Sequence, residues 1–161
     1  MDERLFRDAM GKFATGITIV SINDNNEYKG MTVNAFMSIS LNPKLIAVSI
    51  DEDARMYAEL KNTTKFGVSI LKEEQRELSM IFARQKEQDR EIEFIEQDEV
   101  PVIKDALATL SCEVDQTVKA GDHLILIAKV TDITIQDGEP ILYYGGKYRT
   151  INPDDNLENR K

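Results

Sequence analysis

The sequence predicts a mainly β domain, an antiparallel barrel or sandwich carrying a few helices. Short apolar or alternating segments recur at close spacing with turn residues between them, as in barrels and sandwiches. Helical periodicity appears only near residues 2–13, 54–61 and 78–82, too little to cover both faces of a doubly wound sheet. Hydrophobic residues at 42% and charged residues at 30% are ordinary globular usage, which excludes a disordered or fibrous chain.

Residues 2–13 place Leu5, Phe6, Ala9, Met10 and Phe13 on one side of a helix, with Asp2 as its N-cap. Ile17–Ile22 reads as a strand, and Asp24-Asn25-Asn26 as the turn after it. Gly30–Pro43 is a run of fourteen residues without a charge. Leu45–Asp51 alternates, with Ile46, Val48 and Ile50 on one face and Ala47, Ser49 and Asp51 on the other. Asp53 is placed to cap a short helix from Ala54 to about Lys61. Phe66–Leu71 is a strand, followed by a helix through Leu78, Ile81 and Phe82. Residues 86–99 hold seven acids against two bases and few apolar anchors, as a solvated excursion would. Leu110–Val118 sets Leu110, Cys112, Val114 and Val118 against Ser111, Glu113, Asp115 and Thr117. Leu124–Ile135 begins apolar on both faces, as a central strand does, and Asp137-Gly138 fits a hairpin turn into Ile141–Tyr144.

A length of 161 residues suits a single domain over 1–161, and no repeat, low-complexity tract or linker divides it. The single Cys112 makes no internal disulfide, which fits a reducing cytoplasm. One Cys and one His do not make a closed Cys/His zinc site. Twenty Lys and Arg against 29 Asp and Glu give a formal charge of -9. That field repels nucleic acid and anionic membranes, so neither is an expected partner. No apolar run reaches the ~20 residues of a membrane span. The opening MDERLFRDAM also lacks the basic-then-apolar order of a secretory signal.

Chemistry concentrates in the charge-free run. Thr32, Asn34, Ser38, Ser40 and Asn42 are neutral hydrogen-bonding groups, suited to the edge of a flat heterocycle or to a phosphate oxygen. Asn34 both donates and accepts, which matches a ring with adjacent carbonyl and N–H groups. A polar strand satisfying its own backbone fits the same pattern. Gly121-Asp122-His123 holds the sole histidine, open between a ligand contact and a structural role. No Ser or Cys stands beside it as a nucleophile, so no triad is assembled. In Tyr143-Tyr-Gly-Gly-Lys-Tyr148 two glycines allow either a close ligand approach or a hairpin turn. They are no dinucleotide fingerprint, because the strand–turn–helix unit is absent.

Four segments in order resemble the flavin reductase-like family, the short-chain reductases of two-component monooxygenases. Phe6–Val20 is similar to that family's opening helix and first strand, and Gly30–Pro43 to its flavin-binding segment. Gly121-Asp122-His123 matches its Gly-Asp-His element, and Pro140–Tyr148 its C-terminal hairpin. The resemblance implies an FMN-binding split barrel of antiparallel Greek-key strands, a homodimer, and FMN or FAD bound non-covalently near the subunit interface. By the same resemblance Thr32, Val33, Asn34 and Ala35 line the flavin ring, with Ser49, Ile50 and Asp51 on the next strand. Arg55 approaches the flavin phosphate, and Ala83 and Arg84 follow Phe82 in an element that reaches the flavin. His123, as the catalytic candidate, and Tyr148 take the nicotinamide side. The implied activity is hydride transfer from NADH or NADPH to flavin, which then supplies a flavin-dependent monooxygenase partner. The alternative is a flavin-binding electron carrier or sensor without a nicotinamide site. Ala35 and Met56 stand where many relatives carry small hydroxyl residues, which leaves FMN against FAD open.

Overall fold

The computed structural model describes residues 1–152; the part of the expected domain over 153–161 lies outside the described residues. In chain order it contains α1 (Glu3–Met10), β1 (Thr15–Gly16), β2 (Thr18–Asp24), β3 (Glu27–Val33), β4 (Phe36–Leu41), β5 (Lys44–Asp51) and α2 (Tyr57–Asn62). There follow β6 (Lys65–Ile70), a 3-10 turn (Glu73–Gln75), α3 (Arg76–Phe82), β7 (Phe94–Gln97) and β8 (Val100–Ile103). The long strands β9 (Ala108–Ala120) and β10 (His123–Ile135), then β11 (Ile141–Tyr144) and β12 (Lys147–Thr150), complete it. The mainly β expectation holds, and no helix among the described residues is long and apolar enough to cross a membrane.

Seven strands form one sheet in the order β3-β2-β6-β9-β10-β5-β4, every pair antiparallel. Its two end strands, β3 and β4, are joined only by Asn34 and Ala35. A flat seven-strand sheet spans about 29 Å, whereas that link reaches only about 10 Å. The sheet therefore curls until its ends lie side by side, and Asn34 and Ala35 sit at the seam. Inside the curl, Val20, Val48, Phe66, Val68, Leu126 and their neighbours form one core. Ile17, Ile19, Leu71, Ile103 and Ile141 form a second, against α3 and the small β1-β11-β12 sheet. β2 feeds both because it is buried on both faces. Gly67 admits the covering strand β8, since a Cβ there would lie 2.3 Å from the Pro101 carbonyl oxygen.

Several expectations change. α1 has its Asp2 cap, whose carboxylate accepts from the Arg4 N–H, but it ends at Met10 and buries none of its residues against the described part of the chain. α2 starts at Tyr57 without a side-chain cap. The residues before it are a turn in which the Asp51 carboxylate, not Asp53, accepts a backbone N–H. Residues 94–97 of the acidic segment are strand β7, and Ile92 and Phe94 pack on the second core. Alternation along β9 breaks at a bulge beside Ile127 and Ala128, which turns Val118 to the outer face, away from Cys112. Asp137-Gly138 makes no hairpin with β10: β11 pairs with β1 and β12 in the other sheet. Cys112 is the core residue expected, and burial pushes its thiol up to about 12. The turn at Asn25-Asn26 is also as expected, both residues in the left-handed region of a tight hairpin.

Candidate functional site

Gly30, Thr32 and Asn34 follow one another on the same face of β3 and its continuation, since alternate residues share a face. Three depressions lie along that line. The first, of about 550 Å³, is bordered by Gly30, Arg55, Phe82 and Arg84. The second, about 210 Å³, is bordered by Thr32, Asn34, Ser79, Ala83, Gln85 and Tyr148. The third, about 720 Å³, is bordered by Thr15, Asn34, Ala35, Ser49 and Ile125 among others. Gln85 borders the first and second, and Asn34 the second and third.

The first depression is cationic. Gly30 has no side chain because a Cβ would press to 3.0 Å on the Phe82 ring, and its carbonyl accepts from an Arg55 nitrogen at 3.2 Å. Burial, and next the neighbouring Arg84, lower the pKa of the Arg55 guanidinium. Among the described residues neither arginine has an ion-pair partner within 4.0 Å. Arg84 follows the C-cap of α3 at φ 59, a left-handed conformation that glycine usually supplies there. Two close guanidiniums without an ion pair are an arrangement that an anion relieves.

The seam carries the opposite problem. Asn34 Oδ1 and Thr15 Oγ1 are buried without a hydrogen-bond partner, and both residues border the third cavity. An orphaned buried acceptor costs about 1–3 kcal/mol, so two beside one cavity call for a polar ligand edge. Thr32 donates its hydroxyl to the Ser79 carbonyl at 2.7 Å, which leaves its lone pairs free.

Other expected residues fall elsewhere. Val33 and Ile50 belong to the core, so a ligand could meet only their backbone. Asp51 is exposed, and in the register of β5 and β10 it faces His123 as Ser49 faces Ile125. His123 thus lies one alternation, about 7 Å, beyond the third cavity on the same face. It is half-exposed, with Nδ1 at 2.8 Å from Asp122 Oδ1. The carboxylate oxygen accepts, so Nδ1 is the donor, and this hydrogen bond lowers the Asp122 pKa. Sequence reasoning missed Thr15, Ser79 and Gln85. Only the packing of α3 against β3, and the cavity that Thr15 shares with Asn34, show their part. Among the described residues no cluster of His, Cys, Asp and Glu could hold a metal.

The flavin site that the sequence led one to expect fits this donor set: paired cations for a phosphate, and an unpaired amide oxygen and hydroxyls for a ring edge. The flavin reductase like domain family matches residues 10–152. The solved flavin reductase PheA2 in its native state superposes with a TM-score of 0.92 at 51% sequence identity, over 94% of this chain and 99% of that one. The Streptomyces globisporus NADH:FAD oxidoreductase SgcE6, solved with NAD and FAD fragments, gives 0.87 at 32% identity over 96% of each chain. The reductase component of 4-hydroxyphenylacetate 3-monooxygenase from Thermus thermophilus is 33% identical over 147 residues, 91% of this chain and 95% of that protein.

Proposed function

The chain belongs to the flavin reductase-like family, and on that premise we infer that it is a reductase that passes hydride from NADH to a non-covalently held flavin. The observation that carries this reading is the line of depressions along β3, with unpaired cations at one end and orphaned polar atoms at the other. When bound, the flavin supplies the chemistry, as the acceptor of hydride from the reduced nicotinamide. The chain's residues bind and orient.

Arg55 and Arg84 hold the phosphate, where the bidentate reach of a guanidinium suits its oxygens. Asn34 offers Oδ1 to a ring N–H and its NH₂ to a ring carbonyl, while Thr32 accepts alongside. Ala35 and Ser49 wall the ring cavity; Val33, Ile50 and Ala83 contribute backbone, and Asp51 faces the nicotinamide side beside His123. His123 Nε2 and the Tyr148 hydroxyl orient the donor ring. No general base or covalent nucleophile is required.

The same reading takes the curled sheet as a split barrel, with the seam as its opening, and the chain as one domain. Phe13 and Met37, at 78% and 58% exposure, rim the third cavity, and Leu5, Phe6 and Met10 stand exposed on α1. This apolar rim supports a homodimer in which a second copy covers the cavity. The reduced flavin passes to a flavin-dependent monooxygenase in the cytoplasm, where the free Cys112 also belongs. Loss of NADH or NADPH absorbance with added FMN or FAD tests the proposal. Flavin-dependent loss far above buffer is expected. No such loss with either nucleotide overturns it in favour of an electron carrier or sensor.

A further inference from the structure

Threonine hydroxyls that leave the surface of this fold find partners. Thr18 donates to the Val33 carbonyl at 2.6 Å, and Thr32 to the Ser79 carbonyl at 2.7 Å. Thr63 donates to the Lys65 carbonyl at 2.7 Å, and Thr109 to Gln97 Oε1 at 2.6 Å. Among the described residues Thr15 is the exception, its Oγ1 buried with no hydrogen-bond partner. Asn34 Oδ1 is the other such atom, and both residues line the third cavity. Thr15 stands three residues before Thr18, whose partner Val33 precedes Asn34, so the β2–β3 pairing brings both to the same end of the ladder. The rest of the wall is largely apolar, with Ile17, Phe36, Val48 and Ile70, and among the described residues no charged side chain borders it. Such a cavity suits a flat, uncharged ring with one polar edge.

We propose that Thr15 is a flavin-binding residue whose hydroxyl donates to a carbonyl of the ring's imide edge, where one N–H stands between two carbonyls. The inference rests on the reductase reading above and adds a residue to it. Asn34 Oδ1 only accepts, so the ligand atom that meets it carries a proton. In an oxidised flavin the ring N–H is flanked on both sides by carbonyls, so any group beside Asn34 Oδ1 on that edge must donate. The Asn34 NH₂ serves one carbonyl, and the uncommitted Thr15 proton serves the other. Both orphaned atoms are then satisfied by one ligand edge.

The test titrates wild type, Thr15→Val and Thr15→Ser with FMN and FAD, and melts each protein without flavin. Thr15→Val keeps nearly the same shape and removes the hydroxyl, so it should weaken flavin binding about tenfold. Its flavin-free melting temperature should equal or exceed the wild-type value, because an orphaned polar atom has left the interior. Thr15→Ser restores the hydroxyl and should recover most of the affinity. Carbon-13 NMR of the bound flavin, labelled at the two imide carbonyls, should show one resonance displaced in Thr15→Val and returned in Thr15→Ser. Wild-type affinity in folded Thr15→Val overturns the proposal; a loosened dimer in that variant would give the hydroxyl to the subunit interface instead. Loss of affinity with both carbonyl resonances unmoved overturns it too, as does a joint loss of affinity and stability. If Thr15→Val does not fold, Thr15→Ala is read by affinity and resonances alone. Failure of the wild type to bind either flavin is a different result, which overturns the flavin reading itself and is seen before any variant is compared.

Discussion

Asn34 holds an acceptor that the chain itself leaves unpaired. Its Oδ1 is a liability in the empty fold and an asset once an N–H arrives, so its two roles separate by experiment. Asn34→Ala should leave the melting temperature of the flavin-free protein unchanged or raised, while weakening flavin binding by about 1–3 kcal/mol. A flavin titration beside a thermal melt checks both; unchanged affinity with a lowered melting temperature would make Asn34 a residue of the fold only. His123 is half-exposed, so His123→Ala should shift stability by only about 0.5 kcal/mol. Misaligned rings can cost up to about 100-fold in rate. Turnover with NADH should therefore fall sharply while flavin affinity holds, and wild-type kinetics in the folded variant would remove His123 from the site. Asn34 was legible in the sequence because a charge-free polar run is conspicuous. Ser79 and Thr15 were not, because a serine or threonine shows its partner only after an element packs over it. Val33 and Ile50 were included through their neighbours, yet alternation turns both side chains into the core.

At the scale of elements, α3 and the seam between β3 and β4 build the site. α3 lies over Gly30, ends in a left-handed Arg84, and carries Ser79. A non-glycine residue in that conformation costs roughly 1–2 kcal/mol, and the charge on Arg55 adds repulsion. Arg84→Gly should therefore stabilise the empty protein by about 1 kcal/mol and weaken flavin binding. Denaturant unfolding and a flavin titration on the same variant check the pair, and a destabilised variant would show that Arg84 is not strained. Strand positions were largely readable, because β2 and β6 are short runs buried on both faces and β5 keeps its alternation. The failures have local causes. The β9 bulge reverses parity beyond Val114, and Asp137-Gly138 has hairpin chemistry but leads into the other sheet. Half of the acidic segment is held by Phe94 and Ile92 on the second core, which charge counting does not reveal.

The whole molecule carries a formal charge of -9, yet gathers two unpaired guanidiniums at the depression proposed for an anion. That local field must work against the global one, so salt screening weakens both. The exposed apolar side chains of α1 and the rim of the third cavity have no cover among the described residues. The proposed homodimer would cover them, and light scattering at micromolar concentration with flavin present should give twice the chain mass of 18.3 kDa. A monomeric mass would leave the cavity open and contradict the homodimer. The central claim is hydride transfer to flavin held at the seam. Its most direct test mixes NADH with the flavin-loaded protein in the absence of oxygen and follows the visible flavin absorbance. Bleaching far faster than for free flavin with the same NADH is the expected result; bleaching at the free-flavin rate would contradict it.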